Sequence, residues 1–158
     1  MRVLLSACLL LLLLPGTALC GDLSGLLPGI VGDLARVRLI VGDDAQAEVD
    51  KLHGTALAAE ASAVAYYARP KERPAEVWLS RVADEREARR QVGVMVHKMY
   101  ENPDSPFKNP GRLEHAGRAV YRFTGMGRVH LIWSSGDLAW WVSAEPGDEV
   151  VFLDALCR

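Results

Sequence analysis

The chain has 158 residues, half of them hydrophobic, and a formal net charge of -2. That length accommodates one domain rather than two, and the supply of Val, Leu, Ala, Trp and Tyr excludes a wholly disordered chain. A charge so close to balance offers no long-range attraction for a polyanion, so nucleic acid is not an expected partner.

Met1-Arg2 is followed by an uncharged stretch, Val3 to Leu14, that ends in a run of leucines; Pro15-Gly16 and small residues come next. This is the three-part layout of a secretory signal peptide. The stretch falls short of the ~20 apolar residues that a spanning helix needs, and Pro15-Gly16 stops its extension, so no stable membrane span is expected. Residues 1–20 are therefore read as a leader cut after Ala18 or after Cys20. A lipid anchor on Cys20 ranks lower because bulky Leu19 precedes it. Lysine occurs only at Lys51, Lys71, Lys98 and Lys108; the excess of arginine suggests a GC-rich, bacterial genome, and the expected location is the periplasm or the extracellular space. In such an oxidising compartment a retained Cys20 can pair with Cys157.

Residues 21–34 are rich in Gly and Leu without a clear period and are expected to run extended over the surface. Residues 35–158 are expected to form one domain. Arg36 to Val41 reads as a strand. Asp43-Asp44 then caps a short amphipathic helix, Asp44 to His53, with Ala45, Val49 and Leu52 on one face and Gly54 as its C-cap. Ser62 to Ala68 and Glu76 to Ala83 read as a strand hairpin around a Pro-rich charged connection. Asp84 is an N-cap with Glu87 three residues on, the spacing of a capping box. Ala88, Val92, Met95, Val96 and Met99 continue that helix as one buried stripe, and Asn102-Pro103 ends it.

Residues 102–117 hold three prolines and two glycines and read as a long loop of the kind that often carries function, with Phe107 pinning it to the body. A three-strand meander follows: Arg118 to Thr124, Arg128 to Ser134, and Leu138 to Ser143. A terminal helix begins near Pro146-Gly147-Asp148, with Val150, Val151, Leu153 and Leu156 as its apolar residues. The fold class is thus α+β, an antiparallel sheet of about five strands with helices packed mainly on one face.

Chemistry is sparse in this pattern. His53, His97, His115 and His130 show no metal-binding spacing, and no metal or cofactor is implied. No G-x-S-x-G elbow or phosphate-binding glycine motif occurs. The aromatic and arginine residues of the meander stand out: Arg118, Arg122 and Arg128 lie near Tyr121, Phe123, Trp133, Trp140 and Trp141. Trp140 and Trp141 are adjacent, so they point to opposite faces of the sheet. One belongs in the core; the other is either covered or marks a partner surface. The leading expectation is a non-catalytic exported module that binds another protein or a small apolar ligand through Trp140, Trp141, Trp133, Tyr121, Arg122 and His130. The alternative is an envelope hydrolase built in the 102–137 region, using His115 or His130 with Glu114 or Asp137; it requires those groups to converge in one cleft.

Overall fold

The computed structural model describes residues 22–53 and 58–158, without the side chains of residues 52 and 53. The leader, Cys20, the Gly54 cap and the side chains of Leu52 and His53 lie outside the described residues. Eight strands form one antiparallel sheet: β1 (Ile30–Val31), β2 (Leu34–Val41), β3 (Ala61–Ala68), β4 (Ala75–Arg81), β5 (Lys108–His115), β6 (Arg118–Gly125), β7 (Arg128–Ser135) and β8 (Leu138–Ala144). The three helices are α1 (Gly42–His53), α2 (Glu85–Glu101) and α3 (Glu149–Leu156).

The sheet order is β1-β2-β3-β4-β8-β7-β6-β5. The chain walks inward from one edge through β1 to β4, crosses to the far edge along α2, and walks inward again from β5 to β8. The two halves meet where β4 pairs with β8, placing Trp78 opposite Trp141 and Leu79 opposite Trp140.

Helices cover both faces, not mainly one. On the first face, α1 packs Ala45 and Val49 against Val64, while Val92 and Met99 of α2 pack against Phe123, Ile132 and Trp141. On the second, Phe152, Leu153 and Leu156 of α3 join Tyr67, Val77, Leu131, Trp133 and Trp140 in the main core. Two-sided cover explains why β7 is buried from Arg128 through Trp133. A strand covered on both faces carries a continuous apolar run instead of a strict alternation.

The two strands not expected, β1 and β5, both lie in segments that read as irregular. Residues 22–34 do not run over the surface: they contain a 3-10 turn, Ser24–Leu26, and strand β1. Leu23, Leu27, Val31 and Leu34 are buried in the main core. Arg69 fixes this segment to the rest of the domain, donating to both carboxylate oxygens of Asp33 and of Asp148, and to Glu72. Buried Tyr67, its phenol pushed up to about 12 by desolvation, donates to the Pro28 carbonyl. The expected loop 102–117 shrinks to residues 102–107, because Lys108–His115 forms the edge strand β5. Its register shifts between Lys108 and Gly111, and Asn109 has a positive φ of 50°. A bulge, a proline and charged side chains are the usual means of protecting a sheet edge from further pairing.

Helix α2 starts as expected, with the Asp84 carboxylate accepting from the Glu87 backbone N–H at 2.7 Å. The reciprocal half of the capping box is replaced: the Glu87 side chain accepts from Arg90 and Gln91. In α3, Val150 is exposed and Phe152 is fully buried, so the apolar stripe is offset from the expected one. No helix among the described residues is long and apolar enough to cross a membrane.

Candidate functional site

Adjacent tryptophans on β8 do point to opposite faces, but neither presents an open surface. Trp140 is 4% exposed and Trp141 9%. Trp140 stacks on Trp133 with ring centroids 5.5 Å apart and planes 5° from parallel, on the face covered by α3 and the N-terminal segment. The indole nitrogens of both have no hydrogen-bond partner. Trp133 and Trp140 are thus core residues, and of the two alternatives for the adjacent pair the covered one holds for both tryptophans.

Trp141 sits on the other face, in a small polar-aromatic group. Its Nε1–H donates to Nδ1 of His130 at 3.3 Å. An indole nitrogen can only donate, so Nδ1 is the acceptor and the imidazole proton resides on Nε2, which faces the Gly125 carbonyl at 3.2 Å. Phe107 stands edge-on to both rings, with centroids 4.8 Å from His130 and 5.5 Å from Trp141. His130 is 2% exposed, and burial lowers its pKa below the ordinary histidine value. It is a neutral histidine locked in one tautomer, satisfied on both nitrogens.

Gly125 makes this arrangement possible. A β-carbon there would collide with the Pro106 carbonyl and press on Phe107, so only glycine lets the 102–107 segment lie close enough to seat Phe107.

The arginines of the meander are each engaged within the protein. Arg118 donates to Ser135, and Arg122 reaches Glu149 of α3 at 3.0 Å. Arg128, 2% exposed, donates to the Ser143 hydroxyl and carbonyl and to the Pro74 carbonyl. Half-buried Tyr121 packs beside Trp141 and Phe123.

The hydrolase constellation does not assemble. His115 pairs with Asp154 of α3 at 3.3 Å, on the sheet face opposite to His130. Glu114, the next residue along β5, points to the face opposite His115 and is exposed. Asp137 lies in the β7–β8 turn, where Arg81 approaches it at 3.2 Å. Cys157 does not complete a triad with His115: its Sγ faces the His115 carbonyl at 3.7 Å, and burial raises its pKa, which disfavours the nucleophilic thiolate. Among the described residues no group of three or more His, Cys, Asp or Glu side chains could hold a metal ion.

What the structure does form is a cleft of about 360 Å³ between α1 and α2 over strands β4 and β8. Trp78 and Trp141 supply its floor, Ser80, Ala139 and Trp140 extend it, and Val49, Met95, Met99 and Phe107 make the walls. Val94, 42% exposed, lies at the rim with Arg90, Gln91 and Lys98. Sequence reasoning found Trp141 and missed Trp78. The signal available was the position of Trp78 in the strand hairpin, on the face of β4 opposite to Val77 and Leu79.

Fold and cleft together define a class: an α+β domain with a covered eight-stranded sheet and an apolar recess under two helices. Comparison with known family models, curated proteins and solved structures finds no match.

Proposed function

We propose that the protein is an exported domain that binds a small apolar ligand in the α1–α2 cleft and does so without covalent chemistry. One observation carries this reading: an apolar recess of about 360 Å³, floored by two tryptophans, with no carboxylate or imidazole in its lining. Its volume falls in the ~300–1,000 Å³ range of small-molecule sites, which are mostly apolar with a few polar groups. Methionine side chains such as Met95 and Met99 adapt to varied apolar shapes. Docking of a protein partner has lost its main support, because the tryptophans that were to anchor it are buried.

Export rests on the leucine-rich leader and its Pro15-Gly16 break. The position of Cys157 in the same buried cluster as Leu23 and Leu27 supports a bridge to Cys20 where that residue is retained. Intact mass of the protein from its native host reads the cleavage point, any lipid and the bridge together; a mass that includes residues 1–18 contradicts export by cleavage.

The cleft reading is tested with N-phenyl-1-naphthylamine, a neutral apolar dye that brightens on leaving water. The wild-type protein is expected to bind it saturably. Ala139→Leu, which fills the floor, is expected to weaken binding at least tenfold while the fold, read by circular dichroism, is retained. No dye binding by folded wild-type protein overturns the proposal.

A further inference from the structure

The mouth of the cleft is not neutral. Its lining carries two cations, Arg90 and Lys98, and no anion. They stand with Val94 at successive fourth positions of α2, on one helix face. Their situations differ. Arg90 is held in a two-point ion pair by Glu87, whose pKa is lowered to about 2, chiefly by that guanidinium. Lys98 is exposed, and its ammonium has no hydrogen-bond or ion-pair partner among the described residues; the carboxylate of Glu101 is taken by His97 at 3.0 Å. An ammonium on a flexible stem, free at the rim of an apolar recess, complements an anionic group on a ligand whose body fills the floor.

We infer that the ligand is an amphipathic monoanion, a free fatty-acid-type carboxylate whose alkyl chain lies on Trp78 and Trp141 and whose head meets Lys98. This rests on the apolar-cleft reading and adds the head-group chemistry to it. The ligand enters tail first between α1 and α2; its carboxylate stays at the wet rim, where it pays little desolvation and where Lys98 can follow it. A cationic head in the same place would face Lys98 with like charge.

The test holds the tail constant and changes the head. Dodecanoate and dodecyltrimethylammonium below their micelle concentrations, and dodecanol below its solubility limit, are titrated separately at low salt against the dye-loaded protein. Dodecanoate is expected to displace the dye best, about tenfold better than dodecanol, with the ammonium weakest. Lys98→Glu, a surface change that leaves the core untouched, is expected to abolish or reverse that order while dodecanol binds as before. Equal displacement by all three heads overturns the head-group inference and leaves the apolar cleft standing. Failure of all three to displace bound dye overturns the cleft as their site as well. An unchanged preference for dodecanoate in Lys98→Glu overturns the role of Lys98.

Discussion

His130 and Trp141 illustrate how much depends on a single hydrogen bond. Three of the four tryptophans are buried in the sheet, but they differ in what their indole nitrogens do: that of Trp141 is bonded to His130, while those of Trp133 and Trp140 have no partner. Replacing Trp141 with Phe removes the donor and leaves His130 Nδ1 unsatisfied in a buried site, which costs about 1–3 kcal/mol beyond the lost packing. Replacing Trp140 with Phe removes a donor that was already unsatisfied. Trp141→Phe is therefore expected to lower unfolding free energy by more than Trp140→Phe, as read by urea denaturation; the opposite order contradicts the hydrogen-bond assignment. Truncation of either to alanine is a different matter, costing roughly 3–5 kcal/mol as a core cavity, so alanine variants of these residues report on stability before they report on binding. That Trp140 and Trp141 face opposite ways was legible from their adjacency alone. That both are covered was not, because it depends on elements distant in the chain: α2 and Phe107 for one, α3 and the N-terminal segment for the other.

Among the elements, those that announce themselves locally were the ones sequence reasoning found. Helix α2 is marked by Asp84 as its cap and by the stripe through Ala88, Val92 and Met99, all of which are buried. The β3–β4 hairpin and the β6–β7–β8 meander follow from alternating β-branched and aromatic residues between turn signals. Strand β5 was illegible because Lys108-Asn109-Pro110-Gly111 has the composition of a loop; only at a sheet edge, where one side needs no ladder partner, is such a strand tolerated. Cover on both faces was written in the apolar runs Leu131-Ile132-Trp133 and Trp140-Trp141-Val142, which a one-sided sheet does not need. The tie between β6 and the 102–107 segment makes a prediction at this scale. Gly125→Ala is expected to push Pro106 and Phe107 away from the sheet and let water reach His130. The histidine pKa, followed by NMR, then moves up toward the ordinary value near 6.5. A pKa unchanged from wild type contradicts Phe107 as the cover over His130.

For the whole molecule, the same histidine links folding to pH. Its folded-state pKa is depressed, so the unfolded chain takes up a proton that the native state refuses, and stability falls wherever that difference exists. The His130 contribution is complete above about pH 6.5 and is lost progressively as pH drops through that value toward the folded-state pKa, at up to about 1.4 kcal/mol per pH unit. Carboxylates act lower. Asp33, held down by Arg69, and Glu87, held down by Arg90, lose their contribution only below the ordinary carboxylate range; Asp33 is exposed and Glu87 partly so, so added salt weakens their effect. Burial opposes ionisation of Glu149, but hydrogen bonds from Arg122 and two backbone N–H groups outweigh it and lower its pKa, placing it in the same acid window. Thermal melts between pH 7 and pH 5 are expected to show a falling midpoint in wild type; a flat profile over that range contradicts the buried neutral histidine.

The cleft exists only in the assembled molecule, since β4 and β8 come from opposite halves of the chain and α1 and α2 roof them from two different crossings. No segment read alone contains it, which is why Trp78 and Trp141 were not paired in advance. The most direct test of the account follows the indole N–H signals of the four tryptophans in a nitrogen-15 correlation spectrum during titration with N-phenyl-1-naphthylamine. Trp78 and Trp141 are expected to shift together and saturate, while Trp133, which does not line the cleft, stays in place. A shift at Trp133 alone, or no shift at Trp78 and Trp141 at saturating dye, contradicts the cleft as the binding site.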